Sequence, residues 1–365
     1  PLPSPRALAA VTLTAAALVL ASALPGTAAE LRDEGADLWT AASGLGGDLV
    51  ARALFGRSTT AGDFNGDGYA DLVIGSADDA GGDDGAGRVW VLFGSADGVT
   101  AAGRQTFTQD FFGIAESTQP NDAFALVLAV GDFDGDAYDD LAIGVPFEDD
   151  ESVNPVAEDI GVVHVLYGSA TGLDDVGSDT WVQGRDGLLN GAEANDRFGF
   201  ALAAGDFDDD GYDDLAVGVP GDAVGGAANA ARGMVHVIPG GDGGLTAIGD
   251  ELLYPGASGL EGLSEDGDLF GWSLAAGDLD GDLYDDLAVG VPWEDLITAL
   301  SFPDPIPDAG AIHIIYGSLD GLSATDNAEI TRESDGVEGA ASSGARFGWS
   351  MAIGDLDGDT FNDLA

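Results

Sequence analysis

Five stretches of the chain set oxygen-bearing side chains at alternate positions of one short turn. They read GDFNGDGYADL from Gly62, GDFDGDAYDDL from Gly131, GDFDDDGYDDL from Gly205, GDLDGDLYDDL from Gly277 and GDLDGDTFNDL from Gly354. Counted from the first aspartate, acceptors fall at positions 1, 3, 5 and 9. These are Asp63, Asn65, Asp67 and Asp71; Asp132, Asp134, Asp136 and Asp140; Asp206, Asp208, Asp210 and Asp214; Asp278, Asp280, Asp282 and Asp286; and Asp355, Asp357, Asp359 and Asp363. Three alternating side-chain oxygens, a main-chain carbonyl at position 7 and a closing carboxylate make a hard oxygen cage of the kind Ca²⁺ prefers. The carbonyl would come from Tyr69, Tyr138, Tyr212, Tyr284 and Phe361, whose rings are free to pack. A single copy would read equally as a solvated acidic turn or as Asp-Gly hairpin chemistry. Five copies in one frame point to metal, with up to five Ca²⁺.

The residues around each loop are strand-like. A short apolar segment precedes the loop, as in Phe198 to Ala204, and another follows, as in Leu215 to Val219; neither is long enough for a helix. A third run is β-branched and bounded by glycine: GRVWVLFGS, GVVHVLYGS, GMVHVIPGG and GAIHIIYGS. A fourth, weaker run includes Asp179 to Val182. The unit recurs about every 70 residues, which fits a four-stranded propeller blade with long loops better than a helical solenoid repeat. The loop is not of the helix-opening calcium type, because the ninth-position aspartate runs straight into Leu-Ala-Val-Gly or a variant of it. The expected fold class is all-β: a β-propeller of four-stranded antiparallel blades, incomplete in this chain, with about four to five blades of a complete seven.

The chain resembles the FG-GAP repeats of integrin α-subunit propellers and their bacterial secreted relatives. FG stands at Phe55-Gly56, Phe198-Gly199, Phe270-Gly271 and Phe347-Gly348; GAP appears as Gly144-Val145-Pro146, Gly218-Val219-Pro220 and Gly290-Val291-Pro292. Phe124-Ala125 replaces FG in the second repeat, and Gly75-Ser76-Ala77 replaces GAP in the first. The resemblance implies a calcium-binding extracellular adhesion or ligand-binding module. Its ligand face would be built from the connections between second and third strands: 76–87, 146–161, 220–233 and 292–310. Within them Phe147 and Trp293, in VPFED and VPWED, are candidates for ligand contact or for packing beside the next strand. The alternative function is a non-catalytic spacer attached to a hydrolase or surface protein. Position 6 of the loop is Gly68 and Gly211 in two copies but Ala137, Leu283 and Thr360 in the others. Where that position needs a positive φ, the Cβ costs on the order of 1 kcal/mol, so the latter sites are expected to bind more weakly.

Composition narrows the function further. The chain has 365 residues, 66 acidic against 11 basic side chains, and a formal net charge of −55. Such a field repels phosphate backbones and anionic lipid, which argues against nucleic-acid and peripheral membrane binding. Five Ca²⁺ would offset only a small part of it, so most of the acidity is surface. The absence of cysteine excludes disulfides, thiolate zinc sites and cysteine nucleophiles. His164, His236 and His313 occupy one register of the third strand, where the first repeat has Trp90, and a group repeated in every blade reads as packing rather than catalysis. No HExxH, GxSxG or Walker motif occurs, so an enzyme is not expected.

The ends carry their own signals. Arg6 precedes an apolar run from Ala7 to Leu24, then Pro25, Gly26 and small residues to Ala29. Residues 1–29 read as a secretory signal peptide, with an uncleaved anchor as the competing reading. Residues 30–365 read as the propeller, and the protein as secreted or cell-surface. Asp37 to Thr40 looks like the outer strand of a preceding blade, and the fifth repeat is expected to lack at least two strands, so the propeller reads as a fragment.

Overall fold

The computed structural model describes residues 54–77, 87–109, 122–150, 156–224, 230–256, 259–297, 304–359 and 361–365. The leader at 1–29, the strand expected at Asp37–Thr40, Thr360 and parts of all four connections between second and third strands lie outside these residues.

Among the described residues there is no α-helix, and the strands form four four-stranded antiparallel sheets and a final pair. The first blade is β1 (Phe55–Gly62), β2 (Asp71–Ser76), β3 (Arg88–Leu92) and β4 (Gln105–Phe107). The second is β5 (Val127–Gly131), β6 (Asp140–Val145), β7 (Val162–Tyr167) and β8 (Asp174–Trp181). The third is β9 (Ala201–Gly205), β10 (Asp214–Val219), β11 (Met234–Ile238) and β12 (Glu251–Leu253). The fourth is β13 (Ser273–Gly277), β14 (Asp286–Val291), β15 (Ala311–Tyr316) and β16 (Ser323–Ile330), and the fifth repeat supplies β17 (Ile353–Gly354) and β18 (Asp363–Leu364). Each blade is a meander in sequence order, and the first strands β1, β5, β9, β13 and β17 pack in succession. The all-β propeller-blade reading therefore holds, down to the four strands per repeat.

Second strands are apolar without alternation because each blade is covered on both faces. Every residue of β6, β10 and β14 is buried. The core is accordingly a set of layers between blades: Phe64, Val73 and Val89 of the first meet Leu141, Ile143 and Val145 of the second, and Phe207, Val235 and Leu253 of the third meet Leu287, Val289 and Val291 of the fourth. Dense side chains on two faces satisfy the apolar demand, and the hydrogen-bonded ladder satisfies the backbone.

The glycines of the two sequence signatures meet at these layers. A Cβ on Gly144, Gly218 or Gly290 would collide with the carbonyl oxygen of Gly199, Gly271 or Gly348 in the following blade. Those three partners have φ between 82° and 84°, a conformation that costs a side chain strain. Ala125, the departure from FG, sits at φ 63°, with its carbonyl oxygen 2.7 Å from where a Gly75 Cβ would lie. The substitution thus keeps the turn and accepts the strain.

Candidate metal centres and the opposite face

The acidic loops join the first strand of each blade to the second, all at one end of the blades. Asp132, Asp134 and Asp136 bring one ligand oxygen each within 4.8 Å of one another, as do Asp206, Asp208 and Asp210; Asp278, Asp280 and Asp282; and Asp355, Asp357 and Asp359. The turn is shaped by these side chains accepting backbone bonds. In the second loop the Asp136 N–H donates to Asp132 Oδ1 and Asp134 Oδ1, both at 3.1 Å, the Ala137 N–H to Asp132 Oδ2 at 3.0 Å and the Tyr138 N–H to Asp136 Oδ1 at 3.0 Å. The first loop repeats this scheme with Asn65 in the place of the second carboxylate, the Asp67 N–H donating to Asn65 Oδ1 at 2.9 Å. Packing anionic oxygens so closely is costly, and Asp134 and Asp208 are pushed above the ordinary carboxylate range by burial and then by Asp136 and Asp210 respectively. Converging hard oxygens in this arrangement fit a divalent cation such as Ca²⁺.

The ninth-position aspartate stands apart from those triads. Asp140 accepts from the Phe133 N–H at 2.8 Å and the Gly168 N–H at 2.7 Å, and Asp71, Asp214 and Asp286 repeat the arrangement with Phe64 and Gly94, Phe207 and Gly240, and Leu279 and Gly317. In the fifth loop Asp363 accepts from the Leu356 N–H at 3.0 Å. This carboxylate staples the loop to the turn after the third strand. Burial pushes Asp140 up to about 8 and Asp71 and Asp286 to about 6. As a calcium ligand it would have to act through lone pairs its two amide bonds leave over.

Position 6 has the positive φ expected of it: 84° at Gly68, 70° at Ala137, 90° at Gly211 and 82° at Leu283. A Cβ at Gly68 or Gly211 would meet nothing within 4 Å, so the penalty at Ala137 and Leu283 is backbone strain and not collision. Position 4 has the same requirement, with Asp209 at φ 56° among glycines.

Sequence reasoning passed over the eighth position. Asp139 accepts from the Asp63 N–H of the preceding blade at 2.6 Å and returns its own N–H to the Asp63 carbonyl at 3.2 Å. Asp213 does the same to Asp132, at 2.8 and 3.0 Å, and Asp285 to Asp206, at 3.2 and 3.0 Å. The Tyr138, Tyr212 and Phe361 rings lie against Gly66, Gly135 and Gly281 of the preceding loops. The doubled aspartate in YDDL was the available signal.

The three histidines are buried, opposite Ile143, Val217 and Val289. Each stands close to the phenylalanine that opens its own repeat, Phe198 and His236 edge-on at 5.4 Å and Phe270 and His313 at 5.5 Å. Phe55 and Trp90 form the same contact in the first blade at 5.2 Å. Burial holds His164 down to about 3 and His313 to about 4, so both are neutral.

At the opposite end, Trp272, Trp293 and Trp349 cluster with ring centroids 4.5 to 5.2 Å apart, and Phe200 packs on Trp272 at 4.5 Å. Arg346 lies over Trp293 at 5.0 Å and Trp349 at 5.3 Å; Arg197 lies over Phe147 at 5.4 Å. Phe147 and Trp293 are thus half-buried, each with one ring face covered by an arginine. Sequence alone could not place the second-strand connections beside the residues flanking the next FG.

These features define an all-β array of propeller blades with an acidic oxygen-rich hairpin at one end and an aromatic rim at the other. The FG-GAP repeat model matches residues 55–92, 124–166, 198–238 and 270–315, and the chain belongs to the FG-GAP repeat proteins. It is 32% identical over 262 residues to integrin alpha-PS2 of Drosophila melanogaster, covering 70% of this chain and 16% of that protein. It is 33% identical over 167 residues to phosphatidylinositol-glycan-specific phospholipase D of Rattus norvegicus, covering 46% of this chain and 18% of that one. The chain therefore spans less than a fifth of these relatives. A solved rhamnogalacturonan lyase, YesW, aligns with 84% of this chain and 54% of its own at a TM-score of 0.38 and 13% identity, a likeness too distant to bear on function.

Proposed function

We propose that the chain is a secreted, calcium-stabilised propeller module that binds an extracellular protein or glycan through the end opposite its acidic loops. The observation that carries this reading is the convergence of three side-chain oxygens in successive loops of one frame. Residues at positions 1, 3 and 5 would hold the ion, the position-7 carbonyl would complete its near side, and the ninth-position aspartate would fix the loop and supply any remaining oxygen. Calcium when bound would cancel the repulsion among these carboxylates. Phe147 and Trp293 lie on the proposed ligand end, where aromatic surface is the commonest source of binding energy. We assign no catalysis to the chain. The match to a phospholipase supports a second reading, a structural propeller beside a hydrolase domain.

The test is a binding screen of the calcium-loaded chain against extracellular-matrix proteins and glycans. The module reading expects retention of a defined ligand that is weakened tenfold or more by Trp293→Ala, measured well below the melting temperature of a variant shown to be folded. Retention of nothing would favour the structural reading.

A further inference from the structure

The reciprocal bonds at position 8 run from each blade to the one before, and they end on the residue that opens the preceding loop. We propose that Asp139, Asp213 and Asp285 couple neighbouring calcium loops, so that loading one loop raises the affinity of the loop one blade earlier. The inference rests on the calcium reading above and goes beyond it. Position 8 lies between the position-7 carbonyl and the ninth-position carboxylate, so an ion in its own loop holds it in place. Its side chain and N–H then grip the backbone of position 1 in the preceding loop, whose own carboxylate is the first ligand there. A second tie runs alongside: Ser169, Gly241 and Ser318 donate their N–H groups to the carbonyls of Phe64, Phe133 and Phe207, at position 2 of the preceding loops. These donors directly follow the glycines stapled by the ninth-position aspartates. Ordering a loop costs conformational entropy, and a loop already gripped at its first two residues has less left to lose on binding. By linkage the effect is reciprocal: loading the earlier loop favours the later one by the same factor. The device runs through the first four loops. Position 8 is Ala70 in the first, where no earlier loop is described, and Asn362 in the fifth.

The experiment follows hydrogen exchange on peptides from each loop of the whole chain as Ca²⁺ is titrated, giving a protection midpoint per loop. Asp208→Ala should empty the third loop. With Asp213 intact it is expected to raise the second loop's midpoint roughly fivefold or more, the lower range of measured couplings. In the Asp213→Ala background, where only the main-chain ties of residue 213 and Gly241 remain, the same substitution should move the second loop's midpoint by clearly less, and Asp213→Asn, which keeps an acceptor oxygen, should restore the full dependence. A second-loop midpoint indifferent to Asp208→Ala while Asp213 is present overturns the coupling, as does a shift that is undiminished without the Asp213 side chain. Loops that bind calcium independently would thus refute this inference and leave the calcium reading standing, whereas loops that never respond to calcium refute both. Should Asp213→Ala fail to fold, the same cycle at Asp285 decides, with Asp280→Ala emptying the fourth loop and the third loop reporting.

Discussion

At the acidic end of the blades the same turn recurs with its hydrogen bonds reproduced nearly atom for atom, from Asp67 on Asp63 and Asn65 to Asp359 on Asp355 and Asp357. At the aromatic end the corresponding residues change from blade to blade: Arg57, Leu126, Phe200 and Trp272 succeed one another directly after the FG position, and Phe147 gives way to Gly221 and then Trp293. The first end gathers carboxylates in one repeated turn, and on the proposed reading a single kind of cation holds its sequence to one pattern. The second end is closed by close packing of glycine backbone and by arginines laid on aromatic rings, so its outer residues can vary without loss of the fold. One end repeats its sequence and the other varies it, and the proposed function assigns a constant ion to the first and a variable ligand to the second.

The sharpest way to break this comparison is to remove calcium. A ligand that binds only the native state at one hundred times its Kd contributes about 2.7 kcal/mol per site. Several such sites should move the melting temperature by at least about 10 °C between millimolar Ca²⁺ and chelator. Equal melting temperatures in calorimetric scans would show that the acidic end tolerates its own charge.

Gly218→Ala attacks the other end. Its Cβ would be driven into the Gly271 carbonyl and within 3.1 Å of Ala201 Cβ, and overpacking of this kind costs about 1 to 3 kcal/mol. The loss of several degrees should be the same in calcium and in chelator, because the site lies far along β10 from the loop. A loss seen only in calcium would mean that the two ends are not independent.

Proton binding separates the ends more finely. Burial, with Asp268, Glu329, Glu265 and Asp295 around it, pushes Glu294 up to about 8. A carboxyl whose folded pKa exceeds its unfolded value stabilises most below the unfolded value, near 4.5, and that contribution is lost as pH rises through about 8. His164 works in the opposite sense: its lowered pKa adds stability above 6.5 that is lost as pH falls toward about 3. Glu294→Gln should therefore flatten the decline of melting temperature between about pH 5 and 8, leaving the variant a few degrees more stable than the parent at pH 8. A parallel pair of curves would show that Glu294 already has a partner for its charge.

Much of this was legible before the fold was known. The loop string specified its own turn, since side chains at positions 1, 3 and 5 need only local backbone donors, and the β-branched third strands announced themselves through glycine boundaries. The role of FG and GAP in closing the blade interface was not legible, because Gly218 and Gly271 meet only when two repeats stack. Asp213 escaped for the same reason: its partner is Asp132, one blade away. For Phe147 and Trp293 the sequence left ligand contact and packing both open, because the arginines that cover them come from the following repeat. Local chemistry could be read from spacing, while chemistry between blades could not.

The smallest predicted effect lies within the acidic end itself, between loops that share every ligand position. Leu283 holds φ 82° with its side chain in solvent, and Gly211 holds φ 90° at the equivalent place in the third loop. Leu283→Gly removes strain on the order of 1 kcal/mol in the folded loop, and part of that gain is offset by the greater freedom of glycine in the unfolded chain. In the folded protein the offset does not apply to ion binding if calcium selects the strained turn from a looser one. The fourth loop's calcium affinity should then rise by about fivefold, while the melting temperature without calcium changes by no more than about 2 °C. Ala137→Gly should act in the same direction in the second loop. Gly211→Leu should weaken the third loop's affinity for calcium by a similar factor, with no steric contribution because a Cβ there meets open space. If calorimetry gives the fourth loop the same affinity before and after the change, the turn is fully formed without the ion, and the strain at position 6 is borne by the fold and not by calcium.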